Sequence, residues 1–145
     1  MKTVVPSPED IVRKWHMIDA ADAVVGRIAS TAANILMGKN KPMYTPFLDT
    51  GDHVVIVNAA KVKLTGKKEE QKLYRRHSGY PGGLTETQAR TVRIMRPERI
   101  MEEAIRGMLP KTKLGKQMYR KLQVYGGPKH PHQAQMPIEL AVAKY

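Results

Sequence analysis

The chain has 145 residues, 41% of them hydrophobic, so it is long enough for one domain with a substantial core and too short to predict two. It contains no cysteine, which excludes disulfides, thiolate metal sites and cysteine nucleophiles. Its formal net charge is +12, from 25 Lys and Arg against 13 Asp and Glu. Because no apolar run approaches the roughly 20 residues that cross a bilayer, and the start lacks the apolar centre of a secretory signal, we expect a cytoplasmic protein with no membrane partner.

The first half of the chain predicts a strand, a helix and a second strand. Residues Trp15 to Asp19 (WHMID) are typical of a short strand, and Asp22 is placed to cap a helix that Gly38 would end. The apolar positions of that helix, which recur at helical spacing, are Val25, Ile28, Ala29, Ala32, Ile35 and Leu36. A loop with two prolines leads to HVVIVNA, a continuous apolar run that suits a central strand covered on both faces. This order predicts a βαβ unit with parallel pairing.

The middle of the chain predicts two further strands. Val62 and Leu64 alternate with Lys61 and Lys63, a pattern typical of a half-exposed strand that closes at the turn residues TGKK. The segment KLYRRHSGYPGG follows as an exposed strand and a glycine-rich loop.

The second half is mostly helical. Pro97 suits a first helical residue, and an apolar stripe follows it until Pro110 ends the helix. The stripe consists of Ile100, Met101, Ala104, Ile105 and Met108. A short basic helix comes next, with Leu114, Met118 and Leu122 on one face. We expect one domain over residues 15–137, with tails at 1–14 and 138–145.

The sequence lacks the common motifs for nucleotide binding and hydrolysis. A phosphate-binding loop requires glycine five residues before the Gly66-Lys67 pair and Ser or Thr after it, but these positions hold Lys61 and Lys68. No GxGxxG follows the first strand, and neither GxSxG nor HExxH occurs. These absences give no support for an enzyme, a cofactor or a small-molecule substrate.

The positive charge lies in the second part of the chain. Residues 1–60 carry six basic and six acidic residues, so the whole excess falls within residues 61–145. The window 104–138 contains seven basic residues and no acidic one. A polyanion is the leading partner, and a solvated face that only aids solubility is the alternative.

Two histidines in YGGPKHPHQAQ, His130 and His132, leave three interpretations open. A zinc site would need a further ligand, from His16, His53, His77 or a carboxylate, and the basic surroundings disfavour a cation. The second interpretation is two histidines packed on a proline-stiffened tail. The third is imidazoles that stack on bases or donate to phosphate.

Five long motifs, in the order and spacing of a known family, extend from Trp15 to Pro137. They are WHMIDAADAVVGRIAS, GKNKPMYTPFLDTGDHVVIVNAAKVKLTGKK, YRRHSGYPGG, GMLPKTKLGKQMYRKLQVYGG and HPHQAQMP. Together they resemble the bacterial form of the large-subunit ribosomal protein L13 family. The chain departs from the family pattern at Val25, where leucine is usual, and at Asn40 and Phe47, where histidine is frequent.

The resemblance implies a three-layer α/β/α domain with a small, mainly parallel four-stranded sheet and basic loop and tail extensions. It also implies a structural protein of the large ribosomal subunit in the bacterial cytoplasm, monomeric within the ribosome. Such a protein would bind 23S-type ribosomal RNA, contact neighbouring large-subunit proteins and support early assembly. No side chain would be catalytic or bind a metal.

We expect RNA contacts on three segments rich in Lys and Arg, because folded RNA exposes phosphates and 2′-hydroxyls and hides its deep major groove. They are Lys39 and Lys41 in the first long loop; Lys67, Lys68, Lys72, Arg75, Arg76, His77 and Tyr80 in the second; and Lys111, Lys113, Lys116, Arg120, Lys121, Tyr125, Lys129, His130 and His132 near the end.

Two other classes remain as alternatives. A free nucleic-acid-binding regulator would share the basic face, but the chain shows no helix-turn-helix signature. A small phosphotransfer or metal-dependent enzyme would need clustered carboxylates near the histidines, and the acid-free window 104–138 argues against that.

Overall fold

A computed structural model describes residues 5–142 as a mixed fold of helices and strands. In chain order these are β1 (Trp15–Asp19), α1 (Val25–Met37), β2 (His53–Val57), α2 (Lys68–Gln71), β3 (Leu73–His77), β4 (Leu84–Gln88), α3 (Ala89–Met95), α4 (Glu98–Met108), α5 (Lys113–Tyr119), β5 (Leu122–Val124) and β6 (Ile138–Leu140). Short 3-10 helices lie at Pro8–Asp10, Ala59–Lys61 and Gln133–Gln135. Within residues 5–142, no helix combines the length and the hydrophobicity needed to span a membrane.

Four strands form one parallel sheet in the order β5, β2, β1, β6. The two central strands, β1 and β2, pair in parallel register from Trp15 opposite His53 to Asp19 opposite Val57, which confirms the predicted βαβ unit. β6 comes from the segment 138–145, which the sequence assigned to a tail, and it pairs with β1. The predicted fold class, a small three-layer α/β domain with a mainly parallel four-stranded sheet, is confirmed.

Helix α1 packs against β2 and α4 and supplies much of the core. Its end is the predicted one: Gly38 takes the left-handed conformation, with φ 80°, and its N–H bonds the last helical turn. The predicted cap at Asp22 is wrong. Asp22 has φ 61°, its N–H donates to the carbonyl oxygen of Lys61 at 3.3 Å, and Val24 is the residue that precedes the helix.

The strand predicted around Val62 and Leu64 is also wrong. After β2, Asn58 adopts a left-handed conformation with φ 58°, which turns the chain into the 3-10 helix Ala59–Lys61. What remains of strand pairing is an isolated bridge between Val24 and Lys63. The alternation of Lys with apolar residues reflects burial without strand pairing: Val62 is buried and Leu64 half-buried, whereas Lys61 and Lys63 are exposed.

β3 confirms the predicted exposed strand and pairs in antiparallel register with β4. The sequence pattern did not predict β4 or α3, because LTETQ has no apolar alternation and α3 has only seven residues.

In α4, three residues of the predicted stripe, Ile100, Met101 and Ile105, are fully or almost fully buried. Met108, the last residue of the helix, is 43% exposed, so the buried part of the predicted stripe ends before it. In the basic helix α5, Met118 is buried as predicted, but Leu122 lies in β5 and extends the sheet instead of the helix.

Candidate nucleic-acid interface

An open groove of ≈ 820 Å³ lies between α4, α5 and the β3–β4 hairpin. Five basic side chains line it, namely Arg75, Arg106, Lys111, Lys116 and Arg120. Among the described residues that line the groove, Glu103 is the one carboxylate. We call this surface the basic groove. Its excess of cations makes it complementary to a polyanion.

The turn between α4 and α5 fixes the floor of the basic groove. The hydroxyl of Thr112 caps α5 by accepting from the N–H of Gly115 at 3.3 Å. A Cβ added to Gly115 would lie 1.7 Å from the carbonyl oxygen of Pro110, so only glycine lets α5 pack this closely on the turn. The motif LPKTKLG therefore sets the positions of Lys111 and Lys116.

An aromatic ring lies among these cations. The guanidinium carbon of Arg106 stands 6.0 Å from the centre of the Tyr119 ring, within the range of a cation–π contact. Burial raises the pKa of Tyr119, and the carboxylate of Glu102 adds to this effect. The phenol is therefore neutral at physiological pH and adds no negative charge to the basic groove.

The loop of the β3–β4 hairpin presents an exposed tyrosine. The loop is held by hydrogen bonds from Ser78 N–H to the Gly83 carbonyl oxygen at 3.1 Å and from Gly83 N–H to the Tyr80 carbonyl oxygen at 3.0 Å. Gly79 donates to Nδ1 of His77 at 2.9 Å, and the side chain of Tyr80 is left 76% exposed. An ordered loop with a bare aromatic ring is suited to stacking on an unpaired base.

Two lysines of the predicted site, Lys41 and Lys121, lie in internal ion pairs. Nζ of Lys41 is 2.6 Å from Oδ1 of Asp52, and Nζ of Lys121 is 2.5 Å from Oδ1 of Asp49. The side chains of the two lysines are 16% and 8% exposed. Nζ of Lys121 also donates to the carbonyl oxygen of Leu36 at 3.2 Å. Both lysines therefore bind the protein itself and hold the loop after α1 against the sheet.

The carboxylate of Asp52 is the centre of this internal network. Burial alone would raise its pKa, but hydrogen bonds from Lys41, from the backbone N–H of Lys14 and from His16 hold the pKa below its ordinary value. Nε2 of His16 lies 3.1 Å from Oδ2 of Asp52. Asp52 is thus a buried, charged acceptor that joins the loop to β1 and to the segment before it.

The paired histidines pack against the sheet. The rings of His53 and Trp15 stack at 4.3 Å between centroids, and His132 follows at 5.1 Å from Trp15. His130 lies 6.3 Å beyond His132, and a hydrogen bond of 2.7 Å joins Nε2 of His132 to the hydroxyl of Tyr125. Of the three interpretations of this motif, packing is the one that these contacts support.

Burial chiefly lowers the pKa of His53, with further lowering by the nearby charges of Lys121 and Arg13. A neutral imidazole at this position suits its stacking on Trp15. Among residues 5–142, no three histidine or carboxylate side chains converge in a way that could hold a metal ion.

The other residues predicted to contact RNA fall into three groups by location and exposure. Four of them, Arg75, Lys111, Lys116 and Arg120, meet in the basic groove. Tyr125, His130 and His132 are half-buried. Exposed residues outside the basic groove are Lys39, Lys67, Lys68, Lys72, Arg76, His77, Tyr80, Lys113 and Lys129.

Sequence reasoning did not select two arginines of this surface, Arg99 and Arg106. Both lie on α4, whose apolar stripe dominated the pattern, and both face clefts that only the tertiary fold creates. The available signal was their separation by seven residues, which places two side chains on nearly the same side of a helix.

The family model for ribosomal protein L13 matches residues 13–131 of this chain. The chain belongs to the ribosomal protein L13 family. The large ribosomal subunit protein uL13 of Solibacter usitatus is 63% identical over 142 residues, covering 98% of this chain and 99% of that protein. The protein of the same name from Heliobacterium modesticaldum is 61% identical over 137 residues, covering 94% and 95%. That from Thermobifida fusca is 55% identical over 144 residues, covering 99% and 97%.

Membership of the L13 family confirms the resemblance that the five motifs carried. Because this is a family of ribosomal proteins and not of enzymes, it also confirms the prediction that the chain is not an enzyme. The match ends at residue 131, so it includes the basic groove, the hairpin and the first of the paired histidines.

Proposed function

We propose that this L13 family member is a structural constituent of the large ribosomal subunit in the bacterial cytoplasm. In this proposal it binds large-subunit ribosomal RNA through the basic groove and the hairpin loop, and it supports early assembly of the subunit. The observation that carries the proposal is the basic groove, whose lining has five cations and one carboxylate; four of the cations remain after Arg75 is paired with Glu86 on the hairpin. Relatives that cover nearly the whole chain bear the name of a large-subunit protein, which supplies the context.

The chemistry of binding is mainly electrostatic. Lys and Arg side chains replace the counterions condensed on the phosphates, and the released ions drive binding at low salt. The fixed spacing of Lys111, Lys116 and Arg120 selects a backbone shape and not a base sequence. Tyr80 at the hairpin tip adds a stacking surface for an unpaired base.

In the same proposal the chain is present as a single copy in the subunit and contacts neighbouring large-subunit proteins. Lys41 and Lys121 have a supporting role in this scheme, because their charges are already neutralised by Asp52 and Asp49.

Filter binding of the purified chain to bacterial large-subunit ribosomal RNA tests the proposal. If six to ten phosphates are contacted, the affinity should fall by about three to five orders of magnitude between 50 and 200 mM salt. Arg106→Gln should weaken binding and lower the salt dependence by about one unit of slope. A matched control is Arg90→Gln, which removes the same charge from an exposed position on α3.

A salt slope near zero for the wild-type chain would refute the electrostatic mechanism. Sedimentation of the chain only at the top of a sucrose gradient, away from the large-subunit peak, would refute its role as a subunit component.

A further inference from the structure

A second, smaller cleft of ≈ 450 Å³ lies on the opposite face of the β3–β4 hairpin from Arg75. Side chains alternate along a strand, so Arg76 faces away from Arg75 and toward this cleft. The lining consists of Tyr74, Arg76, Ser78, Gly83, Thr85, Thr87 and Arg99. We call it the hairpin cleft. Its lining residues carry two guanidinium groups, three aliphatic hydroxyls and the phenol of Tyr74, and none of them is a carboxylate.

The register of the hairpin gives the two adjacent arginines different environments. Arg75 lies opposite Glu86, and its Nε donates to Oε1 of that residue at 2.6 Å. Arg76 lies opposite Thr85, a neutral hydroxyl. Among the residues that the structure describes, Arg76 has no carboxylate partner. The charge of Arg75 is therefore compensated within the hairpin, whereas the charge of Arg76 is available to a ligand.

Arg99 enters the cleft from α4 and is held in place on two sides. Its Nε donates to Oε1 of Glu103 at 2.6 Å, and its guanidinium carbon lies 5.9 Å from the centre of the Tyr74 ring. A guanidinium has five N–H donors, and for Arg99 the others have no acceptor among the described residues. On the same ring, Nζ of Lys72 lies 5.3 Å from the centre. The buried ring of Tyr74 thus gathers two cations at the edge of the cleft.

We propose that the hairpin cleft binds a backbone phosphate of the large-subunit ribosomal RNA, an inference that rests on the function proposed above. Guanidinium groups match the oxygens of a phosphate in pairs, and hydroxyl donors at Ser78, Thr85 and Thr87 complement them. RNA would then lie along both faces of the hairpin, in the basic groove on the face of Arg75 and in the hairpin cleft on the face of Arg76, where Arg76 supplies the free charge.

A polymer suits this cleft better than a free anion. Arg76 is exposed, so a small anion bound there would remain largely hydrated and weakly held. RNA already bound in the basic groove brings its neighbouring phosphates to the cleft at high effective concentration, so a site of low intrinsic affinity still contributes to binding. The exposed Tyr80 at the tip of the same hairpin continues the contact surface.

Phosphorothioate interference on bacterial large-subunit ribosomal RNA, read with the full chain, tests the proposal. We expect one phosphate, or a short run of them, whose substitution weakens binding to the wild type but not to Arg76→Gln. That variant should bind about tenfold more weakly and lower the salt slope by about one. Arg90→Gln, which removes an equal charge outside the cleft, should keep the wild-type interference pattern.

A second variant guards against a folding effect at Arg99, whose replacement would also disturb Tyr74. Thr85→Val removes a hydroxyl and keeps a β-branched side chain on the strand, so the fold should persist while the interference signal weakens.

The outcomes separate the two proposals. If the wild type binds the RNA with no salt dependence, the proposed function fails. If it binds with the expected slope but Arg76→Gln retains the wild-type affinity and interference pattern, only the hairpin cleft proposal is overturned. Saturable shifts of the Arg76 and Arg99 side-chain NMR signals with inorganic phosphate, which RNA fails to displace, would also overturn it by identifying a small-anion site.

Discussion

Replacing Lys121 with methionine should destabilise the fold far more than it weakens the proposed RNA binding. The side chain of Lys121 is 8% exposed and that of Asp49 is 12% exposed, so each ion is shielded from water mainly by the protein. At 2.5 Å and an effective dielectric of about 20, their attraction is about 7 kcal/mol, and the desolvation of both ions offsets most of it. The direction of the pKa shift agrees: burial lowers the pKa of Lys121 even though Asp49 opposes that effect.

Lys121→Met keeps the aliphatic stem but leaves the carboxylate of Asp49 buried without its partner. Removal of one member of a buried pair typically costs about 3 to 5 kcal/mol, a large part of the stability of a small domain. The double variant Lys121→Met with Asp49→Asn removes both charges and keeps an acceptor for the N–H of Gly51. We expect its free energy of unfolding to lie within about 1.5 kcal/mol of the wild type.

Urea unfolding followed by fluorescence provides the assay, because Trp15 is the one tryptophan in the chain and lies in β1. Lys116→Met is the matched control: it removes the same charge from the exposed side of α5 and should change stability by less than about 0.5 kcal/mol. Filter binding should reverse the order, with a large loss of RNA affinity for Lys116→Met, which removes an exposed cation, and a smaller loss for folded Lys121→Met, which removes only the anchor of α5. A Lys121→Met variant that keeps wild-type stability and loses as much RNA affinity as Lys116→Met would refute this reasoning.

Two further predictions concern the internal network and the stacked rings. Asp52→Asn should lower the free energy of unfolding by about 3 kcal/mol at neutral pH. The folded pKa of Asp52 lies below its ordinary value of 3.8, so the stabilisation by its charged carboxylate is lost as the pH falls through the folded pKa. The urea midpoints of the wild type and of Asp52→Asn should therefore converge in acid. An equal gap at all pH values would contradict a charged Asp52. His132→Ala should expose Trp15 and shift its emission to longer wavelength, whereas unchanged emission would contradict the stack.

The elements that the sequence predicted are those whose burial follows a regular period. β1, α1 and β2 have apolar residues at strand or helix spacing, and their parallel pairing follows from the order of the elements. β4 and β6 have no such period, because LTETQ and IEL are short and mostly exposed. They are strands because a neighbouring strand provides hydrogen-bond partners, and this information is not local.

Prediction of the candidate site from the sequence is limited in the same way, because contacts with distant residues decide which cations are exposed. Lys116 and Lys121 are the same residue type, five positions apart in an acid-free window, and the sequence assigned both to RNA. The structure brings Asp49, 72 residues away in the chain, to Nζ of Lys121 and brings no carboxylate to Lys116 among the described residues. Local composition predicts that a segment is basic, but the tertiary fold decides which of its cations remain available to a partner.

The internal pair at Lys121 also affects the RNA binding that we propose for the basic groove. Arg120 and Lys121 follow α5 directly, and the chain there turns one side chain toward solvent and the other into the protein. The bond of Lys121 to Asp49 therefore anchors the end of the helix that carries Lys116 and leads to Arg120. A cation held on an anchored helix loses less conformational freedom on binding than one on a mobile loop, so the affinity of the exposed cations gains from the buried one. We therefore expect Lys121, which is paired inside the protein, to raise RNA affinity indirectly by holding the exposed cations of the basic groove in place.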